Sequence, residues 1–75
     1  MELNDFIKAF AELFDDTDAS EIKAGTAYHE LDEWSSLIGM SVIALVRTHF
    51  GKAITGKEMR ECNTVEDLYN MIVVK

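Results

Sequence analysis

Apolar residues near the N-terminus recur at three- and four-residue intervals: Leu3, Phe6, Ile7, Phe10, Leu13 and Phe14. That spacing predicts one helix with a single buried stripe. Asn4 is the expected N-cap, because its side-chain oxygen suits the free amides of a first turn. The pattern dissolves at "DDTDAS", where Asp and Ser compete with the backbone for hydrogen bonds. From Thr17 to about Ser35 no period is sustained, and Gly25 breaks any helix there. Ile22, Tyr28, Leu31 and Trp34 are available to pin this stretch to a core. A connection of this length in a small domain predicts an ordered, functional loop.

A second helix is expected from about Ser36 to His49 or Phe50. Leu37, Met40, Ile43, Val46 and Phe50 mark its buried face, with Val42 beside it, and Gly51 fits a left-handed C-cap. "TGKE" at Thr55–Glu58 and "TVED" at Thr64–Asp67 have capping-box spacing, the second with Asp in place of Glu. They open helices at about Gly56 to Glu61 and Val65 to Val73. Leu68 and Ile72 form the last stripe, with Val65 and either Tyr69 or Met71 alongside. Nothing alternates long enough for a sheet. The predicted fold is all-α: one domain over 1–75, a small four-helix bundle with a long first loop and a short third helix.

Composition narrows the possible functions. Seventy-five residues give a core just large enough to fold unaided. The single cysteine, Cys62, allows no internal disulfide, and no zinc-type Cys/His spacing occurs. The apolar run Leu37–Val46 is too short for a membrane span. "MELNDFIKAF" is acidic and unlike a secretory leader, so a cytoplasmic location is expected. The net charge of −7 is uneven. Met1–Trp34 carries ten carboxylates against two lysines, whereas Ser35–Asn63 carries four cations against two glutamates. Such a balance repels nucleic acid and favours a basic protein surface as partner. The acidity, and the lack of an obvious exposed stripe, point to a monomer.

Little in the chain supports bond chemistry of its own. Ser36 lacks a G-x-S-x-G elbow, and nothing brings His29 or His49 to a serine with an orienting carboxylate. Both histidines are read as surface residues, and the chain as no enzyme. Asp16, Asp18 and Ser20 imitate the start of a calcium loop. However, Glu21 stands where that loop needs glycine, and Ala27 where it needs a bidentate carboxylate. No metal site is expected. Cys62 reads as a small buried hydrophobe.

The adjacent serines of "LDEWSSLIGMSVIALV" remain. A hydroxyl at a helix's first turn lies beside unpaired amides and the positive end of the dipole. Only one of the pair can be the cap. If Ser35 caps, Ser36 is free at the surface, and a phosphodiester attached there carries its charge where it is favoured.

The whole chain resembles an acyl carrier protein. The likeness rests on "ELDEWSSLIGMSVIALVRTHFGKAIT" and "NTVEDLYNMI": a long acidic loop, then a Ser-Leu junction opening the second helix. Tyr28 stands at the loop aromatic, Phe50 at the end of the second helix and Ile54 before the third. The resemblance implies that Ser36 is esterified with 4′-phosphopantetheine from coenzyme A by a phosphopantetheinyl transferase. It further implies acyl thioesters on the arm, passed among partners such as ketosynthases of a fatty acid, polyketide or related pathway. Ser35 replaces the family's aspartate before the modified serine, so Asp32 and Glu33 are the candidates to engage the transferase. Leu37, Ile38 and Met40, with Ser35, are the expected partner contacts, and Leu45 is a further outward candidate. The second helix carries Ser41 and Arg47 where the family has glutamates, predicting a more apolar docking face and dedicated partner enzymes. A peptidyl or aminoacyl carrier, and an unmodified helical docking module, are the alternatives.

Overall fold

A computed structural model describes residues 1–75, and it is built from helices and turns without strands. Helix α1 spans Leu3–Ala11, α2 Ser36–Phe50, α3 Gly56–Glu61 and α4 Val65–Val73. α1 packs on α2 and α4, and α2 packs on α3.

The first helix departs from expectation at both ends. Its N-cap is Glu2, whose carbonyl accepts from Phe6 N at 2.9 Å, and Asn4 lies exposed inside the helix. It stops at Ala11, yet the apolar rhythm continues. Leu13 N donates to Phe10 O and Phe14 N to Ala11 O, both at 3.1 Å. These three-residue turns keep Phe14 buried on the side that Phe6 and Phe10 occupy.

The other three helices begin and end where their caps place them. Ser35 Oγ accepts from Ile38 N at 3.3 Å, and Gly51 closes α2 at φ 65°, a left-handed conformation that glycine adopts without a side-chain clash. Thr55 with Glu58, and Thr64 with Asp67, form reciprocal capping boxes. Two further amides at the start of α4 donate into the long loop: Val65 N to Thr26 O at 3.1 Å and Glu66 N to Ala24 O at 2.9 Å. At the far end, Lys52 Nζ donates to the carbonyls of Ile72 and Val73 at 3.1 and 3.3 Å.

The buried face of α2 is the predicted stripe only in its later turns, where Val42 and Val46 are buried and Ile43 and Phe50 pack against the core. Gly39, Val42, Leu45 and Val46 are buried, whereas Leu37 and Met40 are 73% and 66% exposed. Apolar residues surround the first eleven positions of this helix, so the pattern alone does not choose a face. Gly39 lies on the buried side: a Cβ there would sit 3.6 Å from Met59 Cε and 3.8 Å from Trp34, so the core side of this turn is packed although it carries no side chain. Leu45 is turned inward.

An aromatic chain ties the loop to the core. The Phe10 ring lies 5.7 Å from Tyr28 and 6.4 Å from Trp34, and Phe6 links Phe10 to Phe50 and Tyr69. Such pairs add about 0.5–1.5 kcal/mol each beyond the area they bury. The long loop is therefore ordered, with 3₁₀ turns at Ala19–Glu21 and Tyr28–Glu30 and with Ile22 and Tyr28 buried.

Candidate functional site

The junction between loop and α2 is held from two sides. On the first, the carboxylate of Glu33 captures the turn after α1. Its Oε2 accepts from Asp15 N at 2.7 Å; its Oε1 accepts from Asp16 N at 3.0 Å, Thr17 N at 2.9 Å and Thr17 Oγ1 at 2.8 Å. Desolvation pushes this carboxyl up, but the bonds from Thr17, Asp15 and Asp16 together outweigh it and hold the group below its ordinary range. Both oxygens of Glu33 are thus engaged inside the chain, which gives it a clasping role rather than the free one expected for a transferase contact. Asp32 beside it is exposed.

On the second side, the loop reaches α3. The Tyr28 hydroxyl donates to the Met59 and Cys62 carbonyls, and His29 Nε2 lies 2.8 and 3.1 Å from the same two oxygens. Burial pushes the Tyr28 phenol well above its usual value, with the nearby Cys62 and Asp67 adding to the effect. His29 is therefore no simple surface residue but a half-buried partner of the α3 C-terminus, while His49 is exposed. The aromatic reading of Tyr28 in the sequence missed this hydroxyl because its acceptors lie 31 and 34 residues away.

Between these anchors the serines take different roles. Ser35 is the N-cap of α2, with extended backbone and its hydroxyl turned to Ile38 N. Ser36 is the first helical residue and is exposed. Around it lie the exposed Leu37 and Met40, while Ile38 is half-buried against the core and offers only part of its side chain. No acidic residue occupies the first turn of α2, in contrast to the other three helices.

A groove of about 490 Å³ opens beside Ser36, between α2 and α3. Its buried and half-buried lining is Trp34, Gly39, Ile43, Gly56 and Met59; its exposed lining is Ser35, Ser36, Met40 and Arg60. Arg60 is its only charged residue, and the chain's one ion pair lies elsewhere, between Lys75 and Glu58 at 2.8 Å. Four carboxylates, those of Asp16, Glu21, Asp32 and Glu33, line a separate depression.

The remaining candidates fall outside this site. Asp18 caps its own turn by accepting from Ser20 N at 2.9 Å, and no three His, Cys, Asp or Glu side chains converge as a metal set. Cys62 is half-buried rather than buried; desolvation pushes its thiol up, and the charges of Asp67, Glu61 and Glu58 add to this. No helix is long and apolar enough to cross a membrane. No family model, curated protein or solved structure matches the chain.

Proposed function

We propose that this chain is a carrier protein in which Ser36 bears 4′-phosphopantetheine, and that it presents acyl groups to partner enzymes without performing bond chemistry itself. The observation that carries the reading is the division of labour between the serines. Ser35 satisfies the helix, and Ser36 stands exposed one residue later on a junction tied down by Glu33 and Tyr28. A rigid base with a free hydroxyl is what a covalent arm needs, because the address of the cargo then depends on the arm alone. When attached, the arm supplies a thiol that holds cargo as a thioester.

In the attachment, the Ser36 oxygen bonds to the pantetheine-bearing phosphorus of coenzyme A. The bridging P–O bond of the diphosphate breaks, adenosine 3′,5′-bisphosphate leaves, and the serine proton passes to a base on the transferase. The residues present fit such a group. The hydroxyl is exposed, the adjoining groove is apolar below with one cation at its edge, and no carboxylate lines it to repel a phosphodiester.

Leu37 and Met40 are the contacts that partner enzymes would desolvate. Buried apolar anchors hold a complex, whereas rim charges chiefly set encounter rate. Partners with an apolar socket, dedicated to this carrier, follow from the uncharged start of α2. A coenzyme A donor supports the cytoplasmic location expected from the sequence. An amino acid in place of an acyl group would use the same arm, and the groove does not choose between them.

Incubation with coenzyme A and a broad-specificity phosphopantetheinyl transferase tests the assignment by intact mass. A gain of one phosphopantetheine that survives Ser35→Ala and disappears in Ser36→Ala is the expected result. A folded chain that gains nothing overturns it and leaves the unmodified docking module. Loss of the gain in Ser35→Ala alone moves the attachment by one residue. Transfer by a general ketosynthase that is both efficient and strongly salt-sensitive would remove the dedicated-partner element.

A further inference from the structure

We infer that Arg60 is a positioning residue for the arm, holding the phosphodiester on Ser36 at the mouth of the α2–α3 groove so that the carbons next to it lie on Trp34 and Met40. This rests on the carrier reading above. Three observations converge on it. Arg60 and Ser36 line the same groove, so an anion esterified to Ser36 enters a groove whose one cation is Arg60. Arg60 forms no ion pair, so its guanidinium has no carboxylate to give up before it meets a phosphodiester. Finally, Arg60 Nη1 lies 3.4 Å from where a Cβ on Gly56 would stand, which puts the guanidinium against a residue that itself lines the groove.

The occupant follows from charge and polarity together. A purely apolar chain would use Trp34, Ile43 and Met59 and leave Arg60 without a role. A free anion would use Arg60 and leave the apolar wall without one. The first segment of a phosphopantetheine ester has both properties in the required order, a phosphodiester followed by a dimethyl-substituted carbon. Arg60 therefore biases the arm toward a folded-down state against the groove, from which a partner must lift it. Guanidinium groups suit this task because their donors match phosphate oxygens in pairs.

The test uses loaded protein, whose Ser36-dependent mass gain is read first, so that failure of the carrier reading is recognised before Arg60 is judged. Two signals then follow the arm: the ³¹P linewidth of the phosphodiester and the emission of Trp34, the chain's single tryptophan. Wild-type loaded protein is expected to give a broadened resonance and a Trp34 emission that differs from the unloaded form. Arg60→Gln should narrow the resonance and return the emission toward the unloaded value, with the docked-to-free ratio falling about two- to fivefold, as for an exposed ion pair. Arg60→Lys should retain part of the effect. Roughly 1 M salt, which shortens screening to about 3 Å, should mimic Arg60→Gln in the wild type. An unchanged thermal midpoint is expected in Arg60→Gln, because the side chain is exposed. Identical linewidth and emission in wild type and Arg60→Gln would overturn the inference.

Discussion

Glu33 and Ser36 are separated by three positions in one connection, and the molecule treats them oppositely. Glu33 accepts four hydrogen bonds from the turn after α1, and its neighbour Trp34 stacks on Phe10 and Phe14. Ser36 is exposed, and the next turn carries Leu37 and Met40 with most of their surface in water. One side of the junction is anchored, and the other is presented. These two large apolar side chains beside a fixed hydroxyl are the surface that the proposed carrier would offer to a partner. The anchored side gives that presentation its meaning, because a mobile loop would spread Ser36 over many positions.

The largest break in this contrast comes from its foundation. Phe10 is fully buried and touches Phe6, Phe14, Tyr28 and Trp34. Phe10→Ala removes the ring on which both the loop and the junction lean, at a cost of about 3–5 kcal/mol. In a 75-residue domain that is a large share of the total, so urea denaturation followed by circular dichroism should show a transition collapsed toward zero denaturant. A loss of less than about 1 kcal/mol would mean that the loop is held mainly by its polar contacts.

Those polar contacts are the next target, through Glu33. Its carboxyl lies below the ordinary value of 4.5 in the folded chain, as does that of Glu58, held by Lys75 and Thr55, while Asp18, held by Ser20, lies below its own ordinary value of 3.8. A lowered folded-state value contributes stability above the unfolded value, and that contribution is lost as pH falls through the folded one. Stability should therefore be flat above about pH 5 and decline from about pH 4.5 downward. Glu33→Gln should flatten part of that decline and, at neutral pH, expose the amides of Asp15, Asp16 and Thr17 to hydrogen exchange while the α4 amides stay protected. Unchanged exchange at those three amides would dissolve the clasp.

How much of this arrangement is legible in the sequence depends on the range of the interaction that fixes it. The caps of α2, α3 and α4 are local, so Ser35, Thr55, Thr64 and Gly51 disclose them within three or four residues. The end of α1 is hidden because three-residue turns continue the spacing of Leu13 and Phe14 after the helix has stopped. The start of the packed face of α2 is hidden because Gly39, which lies on it, has no side chain to count as apolar. Glu33 stands 16 to 18 residues from the amides it holds, and His29 about 30 from its carbonyls. A side chain that bonds backbone at that distance leaves no period in the chain. The exposed serine was readable for the opposite reason: two serines at one helix start leave one without a capping role.

Tyr28→Phe gives a smaller, sharper perturbation of the anchored side. It removes the hydroxyl that donates to the Met59 and Cys62 carbonyls while preserving the ring against Phe10 and Trp34. His29 Nε2 still reaches both oxygens, so neither carbonyl is left bare. The expected loss is about 0.5–1.5 kcal/mol by thermal or urea unfolding, the net worth of one buried hydrogen bond. A combined Tyr28→Phe, His29→Ala variant should lose more than the two singles added together, because only then do the α3 carbonyls lack a donor.

The smallest effect on the fold is expected where the effect on function should be greatest. Leu37→Ser with Met40→Ser alters two side chains that the core does not use, so unfolding free energy should stay within about 0.5 kcal/mol of wild type. The same pair should leave modification of Ser36 intact and weaken transfer to a dedicated partner, since the contact desolvated on docking has been made polar. Val42→Ser is the matching control on the opposite face of the same helix: fully buried, it should unfold the protein without addressing the interface at all. If the exposed pair proves as destabilising as Val42, then α2 buries its first turn in solution, and the contrast between a held loop and an open helix start disappears.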